Sequence, residues 1–278
     1  MDAAAEAEDW VRQGIERQEH GNIKDALQAF SNALQVMPGF PLALMRRGHV
    51  LMLTGNTADA LHDFTAAVDR DPTDSRVYAY RGLCYQRRGL HEEALQDFTA
   101  SISLKPDALT YQCRGWSLAR TGQFEKALAD LQAAIVLQPK TIEFYLDRAA
   151  IADEAAQPDE AIADLTRALE IDPVNIRALE ARGMLYMERA DFLYSERDFT
   201  QITEINPKYA DAYYLRGENF FKQTIYEQAE MDYSLAINLK PEFRYYYEAR
   251  ARVYDQLGFD ELADKDRKRA GELPHPQT

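Results

Sequence analysis

The amino-acid sequence predicts an all-α protein, a right-handed α-solenoid (superhelix) of antiparallel helical hairpins with a polar capping helix at its C-terminal end. Three observations predict this fold: a proline that recurs at a nearly fixed interval, small residues at constant places between the prolines, and apolar residues spaced three and four apart. A fixed interval of this kind is typical of repeat architectures, in which each unit packs only against its neighbours. We therefore expect a single array rather than a conventional globular core.

The prolines define the repeat length. Their spacings are 34, 34, 33, 34, 34 and 34 residues along the series Pro38, Pro72, Pro106, Pro139, Pro173, Pro207 and Pro241. Proline lacks a backbone N–H and cannot continue a helix. Each proline therefore predicts the end of the second helix of a unit.

Two small residues, one in each predicted helix, accompany every proline. The first is Gly in six copies and Ala in two, and the second, twelve residues later, is Ala in all copies but one. Four residues further stands Phe, Leu or Tyr, except in the last copy, which has Arg267. This spacing predicts two amphipathic helices that approach closely, with the large residue filling the seam to the next hairpin.

Glycine also separates the two predicted helices in five copies, where a left-handed residue ends the first helix. Copies five to seven have Ala156, Ala190 and Thr224 instead, which predicts a different turn geometry there. Pro158 opens the second helix of copy five.

The pattern resembles the tetratricopeptide repeat (TPR) family. The best copies are YRGLCYQRRGLHEEALQDFTASISLKP and LRGENFFKQTIYEQAEMDYSLAINLKP. The resemblance implies an N-terminal tail at 1–6 and eight repeats at 7–40, 41–74, 75–107, 108–141, 142–175, 176–209, 210–243 and 244–277. It also implies a role in protein–protein interaction, although a fold by itself does not identify the partner.

The last predicted helix has the composition of a cap. Arg267 replaces the large apolar residue of the other copies, and terminal repeats need a polar outer face. An alternative for the basic cluster at 265–269 is a nucleic-acid patch, but the interleaved Asp264 and Asp266 favour a solvated cap. We expect the array to end here.

The overall charge restricts the partner. The 278 residues include 32 Lys and Arg and 46 Asp and Glu, a net charge of −14. An acidic surface repels phosphate, so neither nucleic acid nor an anionic membrane is an expected partner. No apolar run is long enough to span a bilayer, and the N-terminal MDAAAEAEDW is acidic where a signal peptide is basic, so we expect a cytoplasmic protein. Cys84 and Cys113 are expected to be reduced and buried.

Catalytic signatures are missing from the sequence. It contains no GxxxxGK(S/T), GxGxxG, HExxH, CxxC or GxSxG string, and its five histidines lie at scattered repeat positions. The repeats also leave no room for a separate catalytic domain. We therefore predict that the protein is not an enzyme and holds no cofactor and no metal ion.

Copies two to eight share an Arg just before the first small residue and an Asp sixteen residues later. The pairs are Arg47 with Asp63, Arg81 with Asp97, Arg114 with Asp130, Arg148 with Asp164, Arg182 with Asp198, Arg216 with Asp232, and Arg250 with Asp266. Copy one has neither, so pairing inside each repeat leaves no member alone. This predicts an ion pair in every hairpin from the second onward; the alternative is two independent preferences on solvated faces.

The resemblance further implies a concave groove along the first helices, formed by the second, fifth, ninth, twelfth and thirteenth residues of each repeat. The expected partner-binding residues are Met45, His49, Met52, Arg76, Leu83, Arg87, Trp116, Arg120, Leu146, Met184, Met187, Tyr214, Glu218, Phe221 and Arg252. They predict an apolar floor, with cations toward the middle, carboxylates toward the C-terminal half and Trp116 as the main anchor. About half of the apolar members are expected to be core. The Lys and Asn set that clamps a C-terminal carboxylate in some relatives is missing.

Two functions follow as hypotheses. In the first, the protein is an interaction scaffold that holds a peptide or helical segment of another protein in the groove. In the second, it is a structural subunit that forms homo-oligomers through the aromatic residues of its last two repeats. Those residues are Tyr213, Tyr214, Phe220, Phe221, Tyr226, Tyr233, Phe243, Tyr245, Tyr246, Tyr247 and Tyr254.

Overall fold

The fold is all-helical in the computed structural model, which describes residues 2–274. That range contains sixteen helices and no strand. The odd-numbered helices are the first and the even-numbered helices the second members of eight hairpins. They are α1 (Ala3–Glu19), α2 (Ile23–Val36), α3 (Pro41–Leu53), α4 (Thr57–Arg70), α5 (Ser75–Arg87), α6 (His91–Leu104), α7 (Ala108–Arg120), α8 (Phe124–Leu137), α9 (Ile142–Glu154), α10 (Pro158–Ile171), α11 (Ile176–Glu188), α12 (Phe192–Ile205), α13 (Ala210–Lys222), α14 (Tyr226–Leu239), α15 (Arg244–Leu257) and α16 (Asp260–Glu272).

The helix bounds agree with the predicted repeats except at the N-terminal end. From α3 to α15 every odd-numbered helix begins at the predicted first residue of its repeat. At the N-terminal end α1 begins at Ala3, within the predicted tail at 1–6, and the Asp2 side chain accepts a hydrogen bond from the Ala4 backbone N–H. Residues 275–277, which the sequence assigns to the last repeat, lie outside the described range.

The helices form two compact units, which divide between Asp147 and Arg148 inside α9. The N-terminal unit contains α1 to α8 and the first part of α9, and the C-terminal unit contains the remainder. In each unit the strongest helix contacts are those within a hairpin, followed by those between the second helix of one hairpin and the first helix of the next. This is the packing expected of stacked repeats.

The first small residue of a hairpin makes room for the large residue of the same hairpin. A Cβ on Gly48 would lie 2.9 Å from Cε1 of Phe64, closer than real Cβ contacts. The Phe64 ring also reaches the next hairpin, where its centroid lies 5.8 Å from that of Tyr80, as the sequence predicted. The glycine is therefore needed for the aromatic ring as well as for close approach of the two helices.

The turns of repeats five to seven do not differ from the others, contrary to the prediction. Ala156, Ala190 and Thr224 have φ values of 57°, 61° and 61°, in the same left-handed region as the inter-helix glycines. The backbone hydrogen bonds around the turn also recur: the residue after Ala156 bonds back to Ala152, as the residue after Gly89 bonds back to Tyr85. Packing of the hairpin therefore imposes the left-handed conformation on residues that disfavour it.

The predicted Arg–Asp pairs are confirmed. In the third hairpin Arg81 donates from Nε and Nη2 to the two carboxylate oxygens of Asp97, both at 2.8 Å, and this bond raises the pKa of Arg81. The same two-pronged pair forms in each of the other six hairpins that carry both residues. The Asp side chains are buried and those of the Arg residues mostly covered, so these are not pairs on solvated faces.

The arginines also connect consecutive hairpins. Nη1 of Arg182 donates to Thr166 Oγ1 of the preceding repeat at 3.0 Å, and Nη1 of Arg250 donates to Ser234 Oγ at 2.8 Å. Arg47, Arg114 and Arg216 make the equivalent bond to Ser31, Thr99 and Thr200. One guanidinium thus joins three helices: its own, the second helix of its hairpin, and the second helix of the hairpin before.

The last helix, α16, is polar on its outer side, as expected of a cap. Lys265, Lys268 and Arg269 are exposed, and Arg267 forms ion pairs with Asp255 and Asp264. The basic cluster is thus partly neutralised by carboxylates of the same hairpin.

Candidate functional site

A cleft lies between two consecutive first helices of the N-terminal unit. This α5–α7 cleft has a volume of about 300 Å³ and is lined by Ser75, Arg76, Ala79, Tyr80, Leu83, Phe98, Ser101, Lys105, Asp107, Leu109, Thr110 and Cys113. Its floor is apolar, formed by Leu83 of α5 and by Phe98 of α6, and Leu109 stands at the edge with 58% of its surface exposed. Two predicted groove residues, Arg76 and Leu83, therefore meet in one concave site.

The charged groups of the cleft differ in their partners. Arg76 donates to both carboxylate oxygens of Asp74, at 2.9 and 2.6 Å, and this contact lowers the pKa of Asp74. Asp107 caps α7 by accepting hydrogen bonds from Thr110, at 3.0 Å from its N–H and 3.1 Å from its hydroxyl. Lys105 is exposed and has no ion-pair partner within residues 2–274. The ammonium group of Lys105 is thus the charge that a ligand can neutralise.

His49 adjoins the cleft through Tyr80. The two rings lie 4.6 Å apart, centroid to centroid, with 32° between their planes. Burial, followed by the nearby charge of Arg46, lowers the pKa of His49 below its ordinary value of 6.5. The imidazole is therefore neutral at pH 7 and extends the apolar part of the site.

The other predicted residues of the N-terminal unit do not line the cleft. Arg87 donates from Nη1 to the Met52 carbonyl at 2.9 Å, near the end of α3, so its charge is partly used in holding two hairpins together. Trp116 is half-buried and Arg120 is exposed, both on α7. The role of Trp116 as main anchor stays a prediction, because it lies outside the concave site.

In the C-terminal unit four predicted residues form one cluster. Arg252 of α15 forms an ion pair with Glu218 of α13, and its guanidinium lies 5.0 Å from the ring centroid of Phe221. Glu218 also accepts a hydrogen bond of 2.6 Å from Tyr233, whose ring lies 5.9 Å from that of Tyr214. In this α13–α15 cluster the charges of Glu218 and Arg252 neutralise each other, which leaves it less suited than the cleft to bind a charged ligand.

Four of the predicted groove residues are buried: Met45, Met52, Leu146 and Met187. Met45 and Met52 belong to a core cluster that includes Val77 of the next first helix, so the next hairpin covers them. Leu146 and Met187 occupy the same fifth and twelfth repeat positions as this pair. These four side chains belong to the core, in agreement with the expectation that part of the apolar set is core. Met184, at a ninth position, is exposed.

Sequence reasoning missed several cleft residues. Leu109 occupies the same second repeat position as Arg76, so the position pattern was enough to find it. Lys105 and Asp107 lie in the connection between α6 and α7, outside the first-helix positions that the family pattern uses. Only the structure shows that this connection forms one wall of the cleft.

The aromatic residues of the last two repeats pack against one another inside the C-terminal unit. Tyr233 and Tyr246 are fully buried, and Tyr214, Phe243 and Tyr245 form a continuous set of ring contacts with them. Tyr245 and Tyr246 both donate to Asp211 Oδ1, at 2.6 and 2.5 Å. Four of the eleven aromatic residues are buried and the other seven are half-buried, so self-association through them stays a hypothesis.

The remaining reactive groups are spread through the repeats. Both cysteines are free; Cys84 is buried and Cys113 half-buried, and burial raises the pKa of each thiol to about 11. Within residues 2–274 no three His, Cys, Asp or Glu side chains converge as metal ligands would. In the same range no helix has both the length and the apolar character needed to cross a membrane.

The sequence matches the family model described as tetratricopeptide repeat over residues 11–61, 45–108 and 114–176. These matches together cover more than half of the chain. The curated proteins include no match.

Solved structures with the same fold cover most of the chain. A tetratricopeptide repeat protein from Parabacteroides merdae is 19% identical, with 96% of this chain and 99% of that chain covered at a TM-score of 0.62. The C-terminal part of a TPR repeat-containing protein from Cytophaga hutchinsonii is 15% identical, with 86% and 98% covered at 0.75. MamA is 23% identical, with 57% and 92% covered at 0.53. At these identities the likeness concerns the fold.

Proposed function

The chain belongs to the tetratricopeptide repeat family, and from that premise we propose that it is a non-catalytic scaffold that binds a peptide segment of a partner protein on its first helices. The observation that carries the proposal is the α5–α7 cleft, which is concave, apolar at its floor and lined by the predicted residues Arg76 and Leu83. A volume of about 300 Å³ is at the small end of ligand pockets and suits one or two apolar side chains. The proposal needs no catalytic group, cofactor or metal ion, and it keeps the cytoplasmic location expected from the sequence.

The charges at the cleft favour an acidic residue beside the apolar one. Lys105 has no carboxylate partner within the described range, whereas Arg76 is already paired with Asp74. A peptide carboxylate beside Lys105 would gain an ion pair without breaking an existing one. We therefore expect the partner segment to carry an apolar side chain followed or preceded by Asp or Glu.

Random peptide display on the immobilised protein tests this proposal. We expect enriched peptides that combine a large apolar residue with a nearby carboxylate, and synthetic copies should bind in titrations. Leu83→Asn and Lys105→Glu should each weaken this binding by roughly tenfold, equivalent to about 1.4 kcal/mol. Val136→Asn, on the exposed surface of α8 outside the cleft, is the matched control and should leave the affinity unchanged. If the selected peptides bind the wild type and both cleft variants with equal affinity, the binding site lies elsewhere.

A further inference from the structure

An exposed apolar pair begins helix α12, where the other repeats are charged. Leu193 and Tyr194 occupy the second and third residues of this helix. At the equivalent two positions each of the other seven repeats has at least one charged residue, as in Glu92 and Glu93 of the third repeat. Acidic residues in a first helical turn stabilise the helix through its dipole. The sixth repeat gives up this stabilisation for two side chains that its own fold does not bury.

The exposure of the pair sets it apart from the rest of the surface. Leu193 is 76% exposed, the highest value among the large apolar side chains described, and Tyr194 is 55% exposed. The Tyr194 ring lies 5.2 Å from that of Tyr186, over which the Arg182 guanidinium is placed at 5.9 Å. Tyr194 is thus held in position while its outer face remains open. A fixed, open apolar pair is typical of a contact surface.

The same side of α12 carries both signs of charge in a symmetric arrangement. A shallow depression of about 630 Å³ runs along the helix and is lined by Leu193, Tyr194, Glu196, Arg197, Thr200, Gln201 and Glu204. Arg197 and Glu204 stand seven residues apart, two helical turns, on one side of α12. Neither has an ion-pair partner within residues 2–274. A cation and an anion two turns apart on one helix are complementary to the same helix in the opposite direction.

We propose that α12 is a self-association surface, occupied by α12 of a second copy of this chain in a two-fold, antiparallel arrangement. A two-fold axis midway between Thr200 and Gln201 places Arg197 opposite Glu204 of the second copy, and Glu204 opposite its Arg197. The same register places Tyr194 opposite the exposed Pro207 of the second copy, in the turn that follows α12. Such a contact is isologous, since each residue pair occurs twice.

The contact is short, so the dimer is weak. The lined part of α12, from Leu193 to Glu204, is about 17 Å long at 1.5 Å per residue. Two helices that touch over so short a length bury an area at the low end of the range for protein interfaces. We expect dissociation in the micromolar range. The surface belongs to the C-terminal unit and the α5–α7 cleft to the N-terminal unit, so this inference does not depend on the proposed peptide binding.

Sedimentation equilibrium of the full chain over a concentration series, from about 1 µM to about 1 mM, tests the proposal. Arg197→Glu and Glu204→Arg should each weaken dimerisation by roughly tenfold or more, because each places two like charges in contact across the axis. The double variant Arg197→Glu with Glu204→Arg restores opposite charges and should return the dissociation constant to within about threefold of the wild-type value. A folding defect cannot produce such recovery.

The apolar pair has its own variant and control. Leu193→Glu combined with Tyr194→Glu reproduces the pair of the third repeat, so we expect it to fold, with a melting temperature at least as high, and to remain monomeric. Val136→Glu, at a residue of α8 that is 70% exposed, is the matched control and should dimerise as the wild type does. A wild-type chain that stays monomeric throughout the series overturns the proposal. A dimer that is insensitive to the single charge reversals, or not recovered by the double one, also overturns it.

Discussion

The ring of Phe98 lies over Gly82 so closely that a Cβ on Gly82 would come within 2.8 Å of its Cε1 atom. The same contact joins the glycine and the aromatic ring in four further hairpins, which carry Phe30, Phe64, Phe199 and Tyr233. Where the first small residue is alanine instead, as at Ala149 and Ala251, the facing position holds Leu165 or Arg267 and no aromatic ring. In the fourth hairpin Gly115 faces Leu131, so glycine also occurs without a ring. Alanine, in contrast, occurs only where the ring is absent.

Gly82→Ala should destabilise the protein, although alanine is the better helix former. We expect a loss of about 1–3 kcal/mol in the free energy of unfolding, because the added methyl group overpacks the contact with Phe98. In the double variant with Phe98→Leu, which copies the Ala149 and Leu165 arrangement, the loss should be smaller than the sum of the two single losses by at least about 1 kcal/mol. Urea denaturation followed by circular dichroism measures both. Gly271→Ala in α16, where a Cβ meets no atom within 4 Å, is the control and should raise the free energy of unfolding. If Gly82→Ala raises it by the same amount, the close contact between residue 82 and Phe98 is disproved.

The pairing of Arg81 with Asp97 should be visible in a double-mutant cycle. Removing one partner leaves a buried charge alone, so Arg81→Met or Asp97→Asn should each cost roughly 3 kcal/mol of unfolding free energy. The double variant should lose clearly less than the sum. The control cycle combines Arg81→Met with Asp63→Asn of the preceding hairpin, whose carboxylate is bound by Arg47. Coupling of Arg81 to Asp63 that equals its coupling to Asp97 would disprove the assignment within the repeat.

The sequence was sufficient for features that recur in every copy. The proline interval placed the first residue of seven helices, from Pro41 of α3 to Arg244 of α15. The absence of both Arg and Asp from the first repeat was enough to assign the ion pairs within each hairpin. Four of the bonds from an arginine to the preceding hairpin follow a sequence pattern too, since a Ser or Thr stands sixteen residues before Arg47, Arg182, Arg216 and Arg250.

The site was predictable only in part, because position within the repeat does not determine exposure. Met45 and Tyr214 both occupy a fifth position, yet Met45 is buried under the next hairpin while Tyr214 remains half-buried. Lys105 lines the cleft because of the path that the chain takes between α6 and α7. The repeat pattern predicts helix positions and does not predict that path. The exposure of Leu193 likewise depends on what packs against α12, and no property of the single residue shows it.

Thr224→Gly should stabilise the protein. Thr224 has a φ of 61°, a left-handed conformation that is costly for a β-branched residue and not for glycine. Since glycine also gains freedom in the unfolded chain, we expect a net increase of about 0.5–1 kcal/mol in unfolding free energy. Thermal and urea denaturation measure it. The reverse change Gly89→Ala, at a φ of 74° in the third hairpin with no neighbouring atom within 4 Å, is the matched control and should lose a similar amount. No gain at Thr224 would show that its turn is not strained.

Protonation of His49 should reduce stability in mild acid. Burial lowers the pKa of His49 in the folded protein below the 6.5 of an unhindered imidazole, so the unfolded chain takes up the proton more readily. The stability contributed by the neutral ring is therefore complete above pH 6.5 and is lost as the pH falls through the folded-state pKa. We expect the unfolding free energy to fall more between about pH 7.5 and about pH 5.5 in the wild type than in His49→Gln, whose side chain does not titrate. An NMR titration of the His49 ring protons should have its midpoint below 6.5. The expectation fails if the unfolding free energies of the two proteins depend equally on pH, or if the midpoint lies above 6.5. Either result would mean that the His49 ring beside Tyr80 is open to solvent.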